Sequence, residues 1–197
     1  VPSMRAALDA GHPVSVSNKE TIADGIAVGM VGAEPFEIAR RYLDDLVTVE
    51  EEEIAEAILL LLEKEKTVVE GAGAAPLAAL RQSRLPVSGK TVAVVLSGGN
   101  IDVNVLSRII ERGLEKSGRL MRVHVKLPDI PGSLARLLKI VAEHDANILE
   151  VLHDRAPARL EFGQCAVELV AETRGFDHRN QIQRAIQQDG FELDPLS

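Results

Sequence analysis

The sequence predicts two domains of different class: an α/β layer domain built on a parallel sheet over residues 1–117, and an α+β domain with an antiparallel sheet over residues 118–197. Three observations carry this reading. The run TVAVVLSGGN at 91–100 is apolar without interruption until Ser97, Gly98, Gly99 and Asn100, and the amphipathic pattern Val103, Leu106, Ile110 follows. A run with no polar alternation belongs to a strand covered on both faces, as in a parallel sheet. Further on, Met121, Val123, Val125 and Leu127 alternate with Arg122, His124 and Lys126, the pattern of a strand with one dry and one wet face. Between the two, GLEKSGR at 113–119 is charged and punctuated by glycine, which marks a boundary.

The elements follow in order. Met4, Ala7 and Leu8 mark a helix ended by Gly11 and Pro13. TIADGIAVG at 21–29 reads as a close-packed helix start beneath a site. Pro35 opens a short helix with Phe36, Ala39 and Leu43 on its buried side. A short strand is read at 46–49, Thr48 and Glu51 stand at capping-box spacing, and Ile54, Ala57, Ile58, Leu61 and Leu62 continue as a helical stripe. The acidic run at 50–53 is then a first turn facing the positive end of a helix dipole, not a metal site. A strand end at 68–70 leads through Gly71, Ala72 and Gly73 into a small-residue helix. Pro76 stands where a GxGxxG loop needs its third glycine, and Glu70 would repel a phosphate at that helix start. In the second half, strand 121–127 turns at Pro128-Asp129-Ile130-Pro131-Gly132 into a helix marked by Leu134, Leu137, Leu138 and Val141. Strands at 147–153 and 160–172, a helix marked by Ile182, Ala185 and Ile186, and a short strand at 191–193 complete a β-α-β-β-α-β, ferredoxin-like order.

Composition narrows the partners. A net charge of −8 with 3% aromatic residues offers neither a basic surface nor a stacking platform for nucleic acid. The lone Cys165 excludes a disulfide framework and a multi-cysteine metal site, and fits a reducing, cytoplasmic setting. His124, His144 and His153 fall on separate elements, so no metal cluster is expected from them. No apolar run approaches the ~20 residues of a membrane span, and no signal peptide is read at the start.

Taken together, KETIADGIAV (19–28), VTVEEEEI (47–54), VVEGAGAAPLAAL (68–80) and VVLSGGN (94–100) resemble the carboxyl-terminal half of the catalytic domain of the threonine dehydratase (threonine ammonia-lyase) family. MRVHVKLPDIPGSLARLLKIVAEHDANILEV (121–151) is similar to an ACT regulatory domain, an amino-acid-sensing module. The resemblance implies a partial three-layer, fold type II pyridoxal phosphate (PLP) domain followed by an ACT domain. The family's cofactor lysine lies in a Ser-x-Lys-x-Arg-Gly block and its phosphate in a loop of consecutive glycines, and neither is in this chain. Ser17-Asn18-Lys19 imitates the first letters of that block, but Glu20 and Thr21 depart from it. The chain is therefore expected to be a carboxyl-terminal fragment, inactive alone, with no catalytic residue of its own.

The resemblance also implies site residues. Ser97 matches the serine that hydrogen-bonds the pyridine nitrogen of PLP; read from the residues alone, it presents its hydroxyl at the rim where ligands sit, or is a helix N-cap. Glu70 matches a glutamate beneath the ring, or is a first-turn carboxylate. Gly98, Gly99 and Gly71 match backbone positions lining the same pocket, or are ordinary turn glycines. Asp129, Ile130, Pro131, Gly132 and Asn147 match an effector site that usually forms between two ACT domains, the loop after the first strand of one meeting the start of the second strand of the other. The bland reading is a helix N-cap at Asp129 and a left-handed position at Asn147.

The function implied is a PLP-dependent dehydratase of threonine and serine, acting on an amino acid substrate, regulated by an amino acid effector and working as a dimer or tetramer. Two alternatives stay open: a stand-alone amino-acid-binding regulatory fragment, and a sister activity such as serine racemase.

Overall fold

A computed structural model describes residues 2–17, 20–83, 85–155 and 160–194, so Asn18 and Lys19 lie outside the described residues. The chain divides into two compact units, Val1–Ile110 and Glu111–Ser197.

The first unit is helical among its described residues. Helix α1, Ser3–Ala10, ends at Gly11 in the left-handed region (φ 77°), and Ala7 packs with Val31 and Phe36. Helix α2, Ala33–Tyr42, buries Phe36 and Ala39. Leu43, expected on that buried side, is instead 50% exposed, because the chain leaves the helix there and becomes extended. Helix α3, Glu51–Leu60, runs on as a π turn, Leu61–Glu65. Its stripe of Ile54, Ala57, Ile58 and Leu61 packs with Val69, Ala74 and Ala78, the last two on helix α4, Gly71–Arg81. The small side chains of α4 let the two helices approach closely.

Two expectations for this unit are corrected. The stretches at 46–49, 68–70 and 91–96 pair in no ladder among the described residues, so the parallel sheet is not formed. A strand exists only through the strands beside it, and among the described residues the apolar run meets no such neighbour: Val95 is 77% exposed. The segment TIADGIAVG is not a helix start but an irregular stretch with a single 3-10 turn, Asp24–Ile26.

Helix α5, Val103–Lys116, begins beyond Asp102, whose carboxylate accepts hydrogen bonds from the amides of Asn104 (2.8 Å) and Val105 (3.2 Å). It continues through Gly113, where the sequence suggested a connecting segment. Glycine inside a helix costs about 1 kcal/mol, and here Glu111 and Glu115 are held by Arg122 at 2.9 and 3.2 Å.

The second unit follows the β-α-β-β-α-β order: β1 Leu120–Pro128, α6 Ser133–Glu143, β2 Asn147–Asp154, β3 Gln164–Glu172, α7 Phe176–Gln188 and β4 Glu192–Leu193. Its sheet runs β2-β3-β1-β4 with every neighbouring pair antiparallel. Met121, Val123, Val125, Leu127, Cys165, Val167, Leu169 and Ala171 pack with Leu137, Val141, Ile182 and Ile186 of the two helices. The alternate residues carry the charge: Arg122 donates to Glu168 at 2.7 Å. This contact holds the Glu168 carboxyl below its ordinary range. Strand β3 starts later than the sequence suggested, at Gln164, and β2 carries a bulge between Ile148 and Glu150.

Candidate functional site

Helix α4 and the end of the apolar run build one cluster. Glu70 is the residue before the first turn of α4, in extended conformation, and its amide donates to the Gly98 carbonyl at 3.0 Å. Gly98 has φ 71°. That conformation favours glycine, and a Cβ there would also have to displace the Glu70 carboxylate. A Cβ on Gly71 would strike the Ile22 carbonyl, and one on Gly73 the Ser97 carbonyl. A Cβ on Gly99 would stand 3.5 Å from the Val68 carbonyl. Glu70, Gly71, Ser97, Gly98 and Gly99 therefore belong to one place, reached from two stretches far apart in sequence.

The reading of Ser97 as a helix cap is excluded, because α5 starts six residues later and Asp102 supplies its cap. Nor does Glu70 cap α4 with its side chain. Ser97 and Gly98 are solvent-exposed and Glu70 is half-buried, so the cluster presents a hydroxyl and a carboxylate at an open rim.

Two supporting features escaped the sequence reading. Gly25 and Gly73 provide the clearance that lets the loops close, and the small-residue content of TIADGIAVG and GAGAAP was the signal. Glu51, expected to pair with Thr48, instead accepts hydrogen bonds from the Thr21 hydroxyl (2.5 Å) and the Ile22 amide (2.9 Å). The capping box lies two residues later, with Glu53 accepting from the Glu50 amide at 2.8 Å. Glu51 thus ties α3 to the loop beneath Gly71.

In the second unit the expected effector residues are not together. Asp129 follows β1, whereas Asn147 opens β2. Through β3, Asn147 is level with Leu120, since both pair with Glu172, while Pro128 pairs with Gln164 at the other end. Eight residues of strand separate them, roughly 26 Å. The amides of Asp129 and Ile130 are engaged by the carbonyls of Gly163 (2.8 Å) and Pro128 (2.9 Å), and the Asn147 side chain donates to Glu172 at 3.1 Å. The cap of α6 is Gly132 (φ 95°), not Asp129, and the left-handed residue before β2 is Asp145, not Asn147. Asp129 is clasped by Arg155, whose guanidinium holds its carboxyl below the usual range.

The cluster around Ser97 fits PLP in part. Its donor set suits a heteroaromatic ring with a basic nitrogen: a hydroxyl able to donate, a carboxylate, and glycines that admit a flat ligand against the backbone. The phosphate and the cofactor lysine would have to be held by residues other than these.

Known proteins place the cluster in context. The chain is 48% identical over 193 residues to the L-threonine ammonia-lyase of Thermotoga maritima, a match covering 98% of this chain and 48% of that protein. To the L-threonine ammonia-lyase of Geobacter sulfurreducens it is 48% identical over 196 residues, covering 99% and 48% respectively. The chain thus spans about half the length of the curated relatives it matches. The solved structure of the processed form of threonine deaminase isoform 2 from Solanum lycopersicum is 29% identical and matches 56% of this chain and 31% of that one, with a TM-score of 0.50. No helix among the described residues is long and apolar enough to cross a membrane. Residues 1–98 match the pyridoxal-phosphate dependent enzymes, and that part of the chain belongs to their family.

Proposed function

We propose that the chain supplies one wall of the active site of a PLP-dependent threonine and serine ammonia-lyase, which converts threonine to 2-oxobutyrate and ammonia, and that it adds an amino-acid-sensing ACT domain. The observation that carries this reading is the closure of Ser97 onto Gly73 and of Gly98 onto Glu70, within a chain similar over nearly its whole length to L-threonine ammonia-lyases.

Bound PLP supplies an electron sink beside the α-carbon of an amino acid. Ser97 would donate its hydroxyl to the pyridine nitrogen without protonating it, which moderates that sink and favours loss of the β-hydroxyl over transamination. Gly98 and Gly99 would let the backbone approach the ring, Gly71 would line the same pocket, and Glu70 would face the ring. The lysine that moves the α-proton and the glycines that hold the phosphate belong to the remainder of the longer enzyme.

For the second unit, the β-α-β-β-α-β topology supports an ACT domain. The distance between Asp129–Gly132 and Asn147 supports an effector site shared by two copies, hence a dimer or tetramer. An effector would then act through a difference in affinity between two states, typically ~1–3 kcal/mol. The single buried thiol, Cys165, suits the cytoplasm.

The test joins this chain to the amino-terminal half of the Thermotoga maritima enzyme. The chain alone, given PLP and threonine, is expected to yield no 2-oxobutyrate, and the chimera to yield it. Ser97→Asp in the chimera should slow elimination and raise transamination. A folded, PLP-loaded chimera without turnover would refute the proposal, as would turnover by the chain alone.

A further inference from the structure

Asp129, His153 and Cys165 bring one carboxylate oxygen, one ring nitrogen and one thiol sulfur within 4.8 Å of one another. The topology dictates the meeting. Cys165 on β3 pairs with Leu127 on β1, two residues before Asp129. His153 on β2 pairs with Val167, which lies two residues along β3 from Cys165 and so on the same face. Three elements distant in sequence thus end at one corner of the sheet, and no local motif announces it.

The corner has a dry floor and a wet rim. Cys165 is 2% exposed, and its sulfur contacts the Leu127 carbonyl only at 3.6 Å. Burial and the nearby Asp129 push its thiol above the ordinary range, so it rests uncharged. His153 is exposed and Asp129 partly so, giving an ion a path from solvent. Sulfur, imidazole nitrogen and carboxylate oxygen form a mixed donor set suited to a borderline-soft divalent ion such as Zn2+. Tetrahedral zinc with bonds of ~2.0–2.3 Å holds its ligand atoms roughly 3.3–3.8 Å apart. The three donors therefore need to draw in by about 1 Å, which side-chain rotation of His153 and Asp129 can provide.

We propose that this corner is a binding site for a divalent transition-metal ion, with Asp129, His153 and Cys165 as its three protein ligands and solvent in the fourth position. As the sulfur–metal bond forms, the Cys165 thiol gives its proton to solvent, neutral His153 contributes a ring lone pair, and Asp129 exchanges one cation for another. The cation it gives up is Arg155, whose Nε and Nη2 stand 3.0 and 2.8 Å from the carboxylate. Its side chain is 69% exposed and free to swing away.

Cobalt titration of the purified chain tests the proposal, because Co2+ replaces Zn2+ in such sites and reports its ligands optically. One equivalent of Co2+ should produce a thiolate-to-cobalt charge-transfer band and the intense ligand-field bands of tetrahedral Co2+, both bleached by one equivalent of Zn2+. Cys165→Ser should abolish the charge-transfer band. His153→Ala should weaken Co2+ binding at least about tenfold, whereas Arg155→Ala, which removes the competing cation, should tighten it several-fold. The proposal is overturned if the folded chain shows no such band with excess Co2+. It is equally overturned if the band keeps its affinity in both His153→Ala and Arg155→Ala. Those two positions are exposed, so they decide the matter even if Cys165→Ser does not fold.

Discussion

Val123 in β1 is fully buried, while Val95, in a run at least as apolar, is 77% exposed. Both stretches have the residues of a core strand, so composition does not explain the difference. Strand β1 finds β3 and β4 on either side and two helices on one face, all within the second unit. The run at 91–96 has no strand partner among the described residues; it is Ser97 and Gly98, just after it, that meet the start of α4. The lesson is that apolar character selects a strand but neighbours make one. A sheet assembled from nearby segments closes on itself; a parallel sheet, whose neighbours come from far along the chain, does not close in a chain that spans about half of its relatives.

Substitutions sharpen this contrast, beginning with the largest effect. Leu169→Ala removes a fully buried side chain from the second unit and should cost about 3 kcal/mol in urea unfolding. Gly73→Ala places a Cβ against the Ser97 carbonyl, a backbone atom that cannot rotate away. Although alanine favours a helix by about 1 kcal/mol, the collision should dominate, for a net loss on the order of 1–2 kcal/mol. The amide of Glu70 should then exchange faster, as the contact to Gly98 is pushed open. If Gly73→Ala is neutral, the two segments of the site do not press on each other as described.

Arg122→Ala removes a guanidinium that bridges Glu111, Glu115 and Glu168 on a partly exposed face, and about 1 kcal/mol should be lost after solvent screening. Its pH signature is specific. Arg122 depresses the folded-state pKa of Glu168, so this stabilisation is complete above the unfolded glutamate value of about 4.3. It fades as the pH falls through the depressed folded value. Arg122→Ala should flatten that acid-side decline in the second unit's stability; an unchanged acid limb would show that other carboxylates set it. Val95→Ala, at the small end, should change stability by less than about 0.5 kcal/mol in this chain.

The second unit was legible because strict alternation at 121–127 and helical stripes on either side are local signals that agree with the closed fold. The first unit's helices were legible for the same reason, down to the Gly11 stop. What failed depended on geometry between distant segments. The capping-box spacing of Thr48 and Glu51 was real, but Glu50 and Glu53 satisfy the same pattern, and the loop at Thr21 and Ile22 claims Glu51. The candidate site was legible only as separate stretches around Glu70 and Ser97; the clearance at Gly73 that joins them cannot be read from either stretch alone. The trio of Asp129, His153 and Cys165 left no signal, because strand register brings it together.

Amide hydrogen exchange followed residue by residue on this chain tests the central claim directly, since it reports whether a strand is paired. The account predicts strong protection in β1 and β3 and near-random-coil exchange at 92–96. It further predicts that joining the amino-terminal half of the Thermotoga maritima relative protects 92–96. Equal protection of 92–96 and β1 in the chain alone would contradict it.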